Sequence, residues 1–369
     1  MNPIGLYIHF PWCIKKCPYC DFNSHSTNGK IPEEEYISCL SDDLYNDVSN
    51  FDGTVNSIFL GGGTPSLFSS QNIGKILSSA KNLLIFSDDI EITMEANPGA
   101  LDLGNIRGIR EHGVNRLSLG IQSFKDQNLN LLGRVHNRND INSAISGIKT
   151  AGFSNINFDL MHGLPEQDWQ SAKSDLEEAI SHEPTHISWY QLTIEPNTLF
   201  SQNPPSLPSE EILIEIYERG IELLTKAGFF RYEISAFSRQ GKESQHNLNY
   251  WKFGDYIGIG AGAHGKYTYE GNIYRTTKTR SPKDYLISPN KKTKKLSDED
   301  RPIEYLMNSL RLVSGSRLED FEERTGISRE VINTFLEEAY AHGFIDSKHR
   351  LVPTPRGLKF VDEVLFLLN

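Results

Sequence analysis

The chain has 369 residues, 38% of them hydrophobic, enough for one large domain with a smaller companion or for two ordinary domains. Its 48 acidic and 37 basic side chains leave a net charge of −11, which argues against a general nucleic-acid binder and against docking on an anionic membrane. The opening Met1-Asn2-Pro3-Ile4-Gly5-Leu6 lacks the regions of a signal peptide, and no run reaches the roughly 18 apolar residues of a spanning helix.

From residue 5 to 265, short β-rich runs alternate with helical patterns. Strands are expected at 6–10, 57–60, 90–95, 116–121, 156–161, 187–193 and 231–235, several of them continuous apolar runs of the kind buried on both faces of a parallel sheet. Helices are expected at 32–48, 70–84, 101–112, 138–151, 168–182 and 209–227. The first opens on Pro32 and three glutamates, and Gly113, Gly152 and Gly228 follow helix ends. This order implies a parallel α/β sheet closed or partly closed into a barrel.

Gly258, Gly260, Gly262 and Gly265 then crowd one short run and imply close backbone approach, to a ligand or to another strand. Residues 266–300 read as an irregular polar connection, so the expected domains are 1–265, a connecting segment, and 301–369. In the last piece, helices at 302–312, 318–325 and 328–342 precede a strand pair near 344–346 and 350–352, the order of a winged helix. Its 9 basic and 11 acidic residues favour a structural or partner-docking role over DNA binding.

The most informative motif follows the first strand: Cys13, Cys17 and Cys20 in a C-x3-C-x2-C cluster. Three thiolates on an iron–sulfur cube leave one iron open, as radical chemistry with S-adenosylmethionine requires. In a parallel barrel this loop stands at the rim where active sites collect. A zinc site would want a fourth protein ligand, for which only His9 and His25 are near; packing cysteines would not bunch this way. Cys39, the only other cysteine, reads as a buried helical thiol. With three of four cysteines clustered, a disulfide framework is not expected, and a reducing cytoplasm is the expected location.

Gly61-Gly62-Gly63-Thr64-Pro65 follows the second strand and fits a tight turn as well as a ligand site, with glycines exposing backbone groups to a small zwitterion. Glu95, Gln122 and Asp159 stand at strand ends, where a site would want them. Arg134 would ordinarily read as solvated. His246, in His246-Asn247-Leu248-Asn249-Tyr250-Trp251, could bind heme iron, although a core or loop histidine beside packed aromatics is the commoner case.

Taken together, these motifs resemble the radical S-adenosylmethionine superfamily, more closely its anaerobic coproporphyrinogen III oxidase-like family, and within it the HemW-type heme chaperones. The likeness runs through Leu6-Tyr7-Ile8-His9, the cysteine loop to His25, and residues 61–66, 94–98, 159–165, 188–198, 246–251 and 256–265. It implies a partial (β/α)6 TIM-like barrel with a C-terminal winged-helix-like domain. It further implies a [4Fe-4S] cluster on Cys13, Cys17 and Cys20, and S-adenosylmethionine lined by Tyr7, Tyr19, Gly62, Gly63, Thr64, Glu95, Gln122, Arg134 and Asp159. His246 would contact heme, and the heme would pass to an acceptor such as a respiratory membrane protein. Oxidases of this family carry a further cysteine two positions after the third; here that position is Phe22, which weighs against oxidative decarboxylation of coproporphyrinogen.

Overall fold

The computed structural model describes residues 3–27, 29–51 and 53–368; the Met1-Asn2 start read above lies outside them. Six strands form the parallel half of the sheet: β1 (Pro3–Phe10), β2 (Thr54–Gly62), β3 (Ile85–Ala96), β4 (Arg116–Gln122), β5 (Asn155–His162) and β6 (His186–Gln191). The returning helices are α1 (Glu33–Asp47), α2 (Ser70–Leu83), α3 (Leu103–Glu111), α4 (Arg138–Thr150), α5 (Trp169–Ser181) and α6 (Glu210–Lys226). Strand alternation explains the closure. Leu6, Ile8 and Phe10 of β1 are fully buried in the apolar core, whereas Gly5, Tyr7 and His9 face the other way, into the barrel. The fold is the partial (β/α)6 barrel expected.

The expected strand at 231–235 is instead a turn between β7 (Phe230–Arg231) and β8 (Ala236–Ser238), which run antiparallel beside β6. Buried Glu233 accepts from the Ser235 backbone N–H at 2.8 Å, and Arg231 donates to Ile234 O at 2.6 Å, so side chains satisfy groups a ladder would have used.

The larger difference lies at 266–300. This stretch is not an irregular connection. β9 (Asp255–Ile259), which follows α7 (Gln245–Trp251), pairs parallel to β1, and β10 (His264–Tyr269), β11 (Asn272–Lys278) and β12 (Lys291–Lys295) extend the same sheet, with α8 (Pro282–Ile287) inserted. The turn between β10 and β11 is the two-residue Glu270-Gly271, both in the left-handed region. The glycine run serves strand approach: a side chain at Gly258 would stand 1.7 Å from His264 O.

Buried charge holds this extension to the barrel. Lys278 Nζ pairs with Asp43 and, at 2.7 Å, with Asp47 of α1; Lys291 reaches Asp47 at 2.6 Å, and Tyr285 OH donates to Asp43 at 2.6 Å. The C-terminal part contains α9 (Asp300–Ser309), β13 (Ser316–Arg317), α10 (Leu318–Thr325), α11 (Asn333–Ala341), β14 (Ile345–Ser347) and β15 (Arg350–Pro353), with the small sheet ordered β13-β15-β14. The expected helix at 328–342 begins as a 3-10 turn, Arg329–Ile332. Its core shares Phe253, Ile273 and Leu296 with the barrel's flank. Among the described residues no helix is long and apolar enough to cross a membrane.

Lys278→Ala leaves two buried carboxylates without their shared cation and is expected to cost about 3–5 kcal/mol, measured by urea unfolding. An unfolding midpoint equal to that of the parent chain would show that the buried group does not tie the extension down.

Candidate functional site at the barrel mouth

The cysteine loop leaves the end of β1 and is held by backbone bonds, some of them in the short parallel pairing of Trp12–Cys13 with His25–Ser26. Gly63 N donates to Phe10 O at 2.6 Å, Thr64 N to Trp12 O at 2.8 Å, His25 N to Pro11 O at 2.7 Å and Thr27 N to Cys13 O at 2.8 Å. Trp12 packs edge-on against Tyr36, 4.7 Å between centroids, and anchors the loop in the apolar core. Gly62 has φ 112°, and a Cβ there would lie 2.5 Å from the His9 ring; at Gly63 it would lie 2.5 Å from Trp12 O. Both glycines are therefore required by packing. The N–H groups of 62, 63 and 64 are not exposed to a ligand as expected: Gly62 N donates to Glu95 Oε2 at 3.0 Å, and the next two pin the loop. What the turn leaves for a ligand is acceptors.

Cys13, Cys17 and Cys20 line a cavity of about 720 Å³ together with Tyr19, Gly62, Gly63, Thr64, Glu95, Gln122, Arg134 and Asp159. The barrel thus gathers all but one of the expected residues around one space. Tyr7 instead lines a second cavity of about 400 Å³ that shares Gly62, Glu95 and Phe22 with the first. Burial pushes the Cys13 thiol up; a hydrogen bond to Thr64 opposes this, while the nearby Cys20 and Cys17 add to it. Among the described residues no three His, Cys, Asp or Glu side chains converge on a single-ion site, which zinc would need.

Arg134 is not solvated. Its Nη2 donates to Gly120 O at 2.9 Å, and its Nη1 reaches Cys17 Sγ at 3.5 Å and Tyr19 OH at 3.4 Å; Nε is buried without a partner. Two acids line the same cavity. Burial, with Asp159 nearby, raises Glu95 from 4.5 to about 8. Asp159 is likewise raised by burial, against hydrogen bonds from Ser118 at 2.9 Å and Asn157 at 2.8 Å. Two buried acids, a guanidinium and three thiols thus line one cavity, and these residues fit a cluster and a zwitterion.

His246 stands inside the barrel and lines neither cavity: the ring is 1% exposed, hydrogen-bonded to Ser57 Oγ at 3.1 Å and to Tyr250 OH at 2.8 Å, and stacked on Phe59 with centroids 5.2 Å apart. Both nitrogens are engaged inside the barrel. Tyr250, not His246, reaches the second cavity.

Several cavity residues escaped the sequence reading, Tyr190, Ser118 and Arg311 among them. Tyr190 donates to Gln122 Oε1 at 2.7 Å, and Ser118 holds Asp159. Ser188 pairs in register with Asp159, so period-two alternation along β6 could have nominated Tyr190. Arg311, from the C-terminal part, also lines the cavity, a placement no local pattern reveals.

A partial barrel with three clustered thiols at its mouth defines the radical S-adenosylmethionine class. Residues 7–179 match the Radical SAM superfamily model, and residues 296–360 match the HemN C-terminal domain. The chain is 46% identical to the heme chaperone HemW of Haemophilus influenzae, covering 100% of this chain and 98% of that protein. It is 46% identical to HemW of Escherichia coli, covering 94% and 92%. The coproporphyrinogen III oxidase structure (HemN) from Escherichia coli superposes with a TM-score of 0.83 over 100% of this chain and 90% of the other, at 21% identity, a likeness of fold. The chain belongs to the HemW family of radical S-adenosylmethionine proteins, and membership implies a [4Fe-4S] cluster and S-adenosylmethionine.

Glu95 yields a pH prediction. An acid raised to about 8 in the folded chain from an ordinary 4.5 is protonated in both states at low pH. As pH rises between those values the unfolded state releases its proton first, so stability falls across that window. In the cluster-free chain, Glu95→Gln should flatten the decline of the urea midpoint between about pH 5 and 8; parallel pH profiles for the two chains would refute the raised value.

Proposed function

We propose that this protein is a heme chaperone that binds heme beside a [4Fe-4S] cluster and S-adenosylmethionine and passes the heme to an acceptor protein. The observation that carries the reading is the full-length likeness to proteins named heme chaperones. Cys13, Cys17 and Cys20 hold the cluster. When bound, cluster and S-adenosylmethionine together supply one-electron chemistry.

The chain's own residues bind and orient. Arg134, which lines the cavity, meets the ligand carboxylate. The carbonyls of the Gly62–Thr64 turn, with Glu95, accept from its ammonium. Asp159, Gln122 and Tyr19 close the remaining sides, and Tyr7 stands in the adjoining cavity that shares Glu95. His246 contributes to heme binding from behind, by fixing the Tyr250 hydroxyl. Cys39, whose nearest polar contact is Leu286 O at 3.8 Å, takes no part. A reducing compartment such as the cytoplasm suits these thiols, and a respiratory membrane protein suits the role of acceptor.

Anaerobically reconstituted protein should take up heme stoichiometrically and yield it to apomyoglobin. Cys17→Ala should lose the cluster's iron and sulfide. Failure of the parent chain to bind hemin would end the chaperone reading. The oxidase-like fold supports one competing reading, a porphyrinogen oxidoreductase. Anaerobic incubation with coproporphyrinogen III and a reductant should give no protoporphyrinogen; its formation with stoichiometric cofactor cleavage would establish that alternative.

A further inference from the structure

The cavity acid Asp159 ends a chain of hydrogen bonds that crosses the barrel interior. Register sets Ser118, Asn157 and His186 side by side on β4, β5 and β6, with Asp159 and Ser188 one pleat further on. Asn157 Nδ2 donates to Asp159 Oδ1 at 2.8 Å and to Ser118 Oγ at 2.7 Å, and Ser118 Oγ donates to Asp159 Oδ2 at 2.9 Å. Asn157 Oδ1 faces Ser188 N at 3.0 Å and His186 Nδ1 at 2.6 Å. His186 Nε2 lies 2.9 Å from Tyr232 OH, in the turn between β7 and β8. Ser244 N, at the cap of α7, reaches the same hydroxyl at 3.4 Å.

The direction of each link is fixed. A backbone N–H only donates, so the Asn157 atom facing Ser188 N is its carbonyl oxygen, and its amide hydrogens face the acid. His186 Nδ1 therefore donates, its Nε2 accepts, and Tyr232 OH donates. This needs a neutral imidazole, and burial followed by the Arg116 charge holds His186 neutral. The donors run one way, toward Asp159, and the bonds from Ser118 and Asn157 oppose the rise that burial imposes on that acid. Strand pairing does not need the chain. The backbone ladder sets the register, and apolar side chains would fill the same lumen without desolvating polar groups. Asp159 and Ser118 line the cluster cavity, whereas buried Asn157 and His186 stand behind them.

We propose that Asn157 and His186 are positioning residues that hold the Asp159 carboxylate ionised and oriented for S-adenosylmethionine, through a one-way hydrogen-bond chain that starts at α7. This rests on the reading above that S-adenosylmethionine occupies the cluster cavity. Each carboxylate oxygen is pinned by its own donor, so the ligand need not order the acid on binding.

The test is S-adenosylmethionine binding to the full, anaerobically reconstituted chain. It is read by equilibrium dialysis and by the reduced-cluster electron paramagnetic resonance signal with and without the ligand. His186→Leu breaks the chain and should bind about tenfold more weakly, with cluster iron and sulfide unchanged. His186→Gln can donate to Asn157 and accept from Tyr232, and should recover most of the affinity. Tyr232→Phe removes one hydroxyl and should weaken binding about threefold, which tests the chain where His186→Leu fails to fold. In an Asp159→Asn background, His186→Leu should cost no further affinity, because it acts through that carboxylate. Parent-like affinity in both His186→Leu and Tyr232→Phe, or an equal loss from His186→Leu in the Asp159→Asn background, overturns the assignment. A parent chain that binds no S-adenosylmethionine, or an Asp159→Asn chain that binds it as tightly as the parent, overturns the cavity reading instead, so the two failures are distinct.

Discussion

Everything at the barrel mouth depends on how an irregular loop is held still. The cysteine segment has almost no secondary structure, and its position is set by backbone donors from the Gly63-Thr64 turn of the neighbouring strand and by the two amide hydrogens of Asn23. Those bonds reach three places distant in sequence: the end of β2, the turn after β9, and Arg280. The loop is therefore one body with the strands around it. A cluster needs three thiols in fixed relation, and a loop free to move would lose ordering entropy each time it bound one. Gly62 and Gly63 are indispensable because any larger residue would strike His9 or the Trp12 carbonyl.

The same economy governs the charges. Glu95 and Asp159 lie inside the barrel, where an isolated carboxylate is costly. The chain offsets this by hydrogen bonds to neutral groups, from Gly62 N to Glu95 and from Ser118 and Asn157 to Asp159, rather than by a salt bridge. A direct cation would have been more stabilising but would have filled the site. Arg134 is turned instead toward Gly120 O and the cysteine side, with Nε unpartnered. Acids and a guanidinium lining one cavity are what a bound zwitterion would pair with.

The parallel half of the fold was legible because its strands are continuous apolar runs and its helices carry end signals; β1 through β6 and their helices appear where periodicity puts them. The flank at β10–β12 was not, since Lys291–Lys295 is a polar edge strand with every residue exposed, held by pairing and by lysine–aspartate contacts with α1 more than two hundred residues away. Local pattern carries no trace of such partners. The site divides the same way. The cysteines announce themselves by spacing, but the role of Arg134 follows from the left-handed Gly133 and from Pro18 packed beside it, neither of which marks an arginine as buried. His246 is ambiguous in another way: a histidine among aromatics reads equally as ligand site or as core, and only the register of Gly5 with Ser57 reveals that it fills the barrel interior.

That interior placement bears on where a large flat ligand can go. Beneath Tyr7 and Phe59 the space is taken by the His246 ring and its two hydroxyl partners. The open volume lies in the cluster cavity and in the two grooves that meet it at Phe22. Gly62 and Glu95 are walls of both the cluster cavity and the groove that Tyr7 lines. Under the heme-chaperone reading, a ligand that ties down Glu95 on one side fixes a wall of the other. Occupancy of the S-adenosylmethionine site can then bear on heme affinity through shared side chains, without any chemical conversion of the porphyrin.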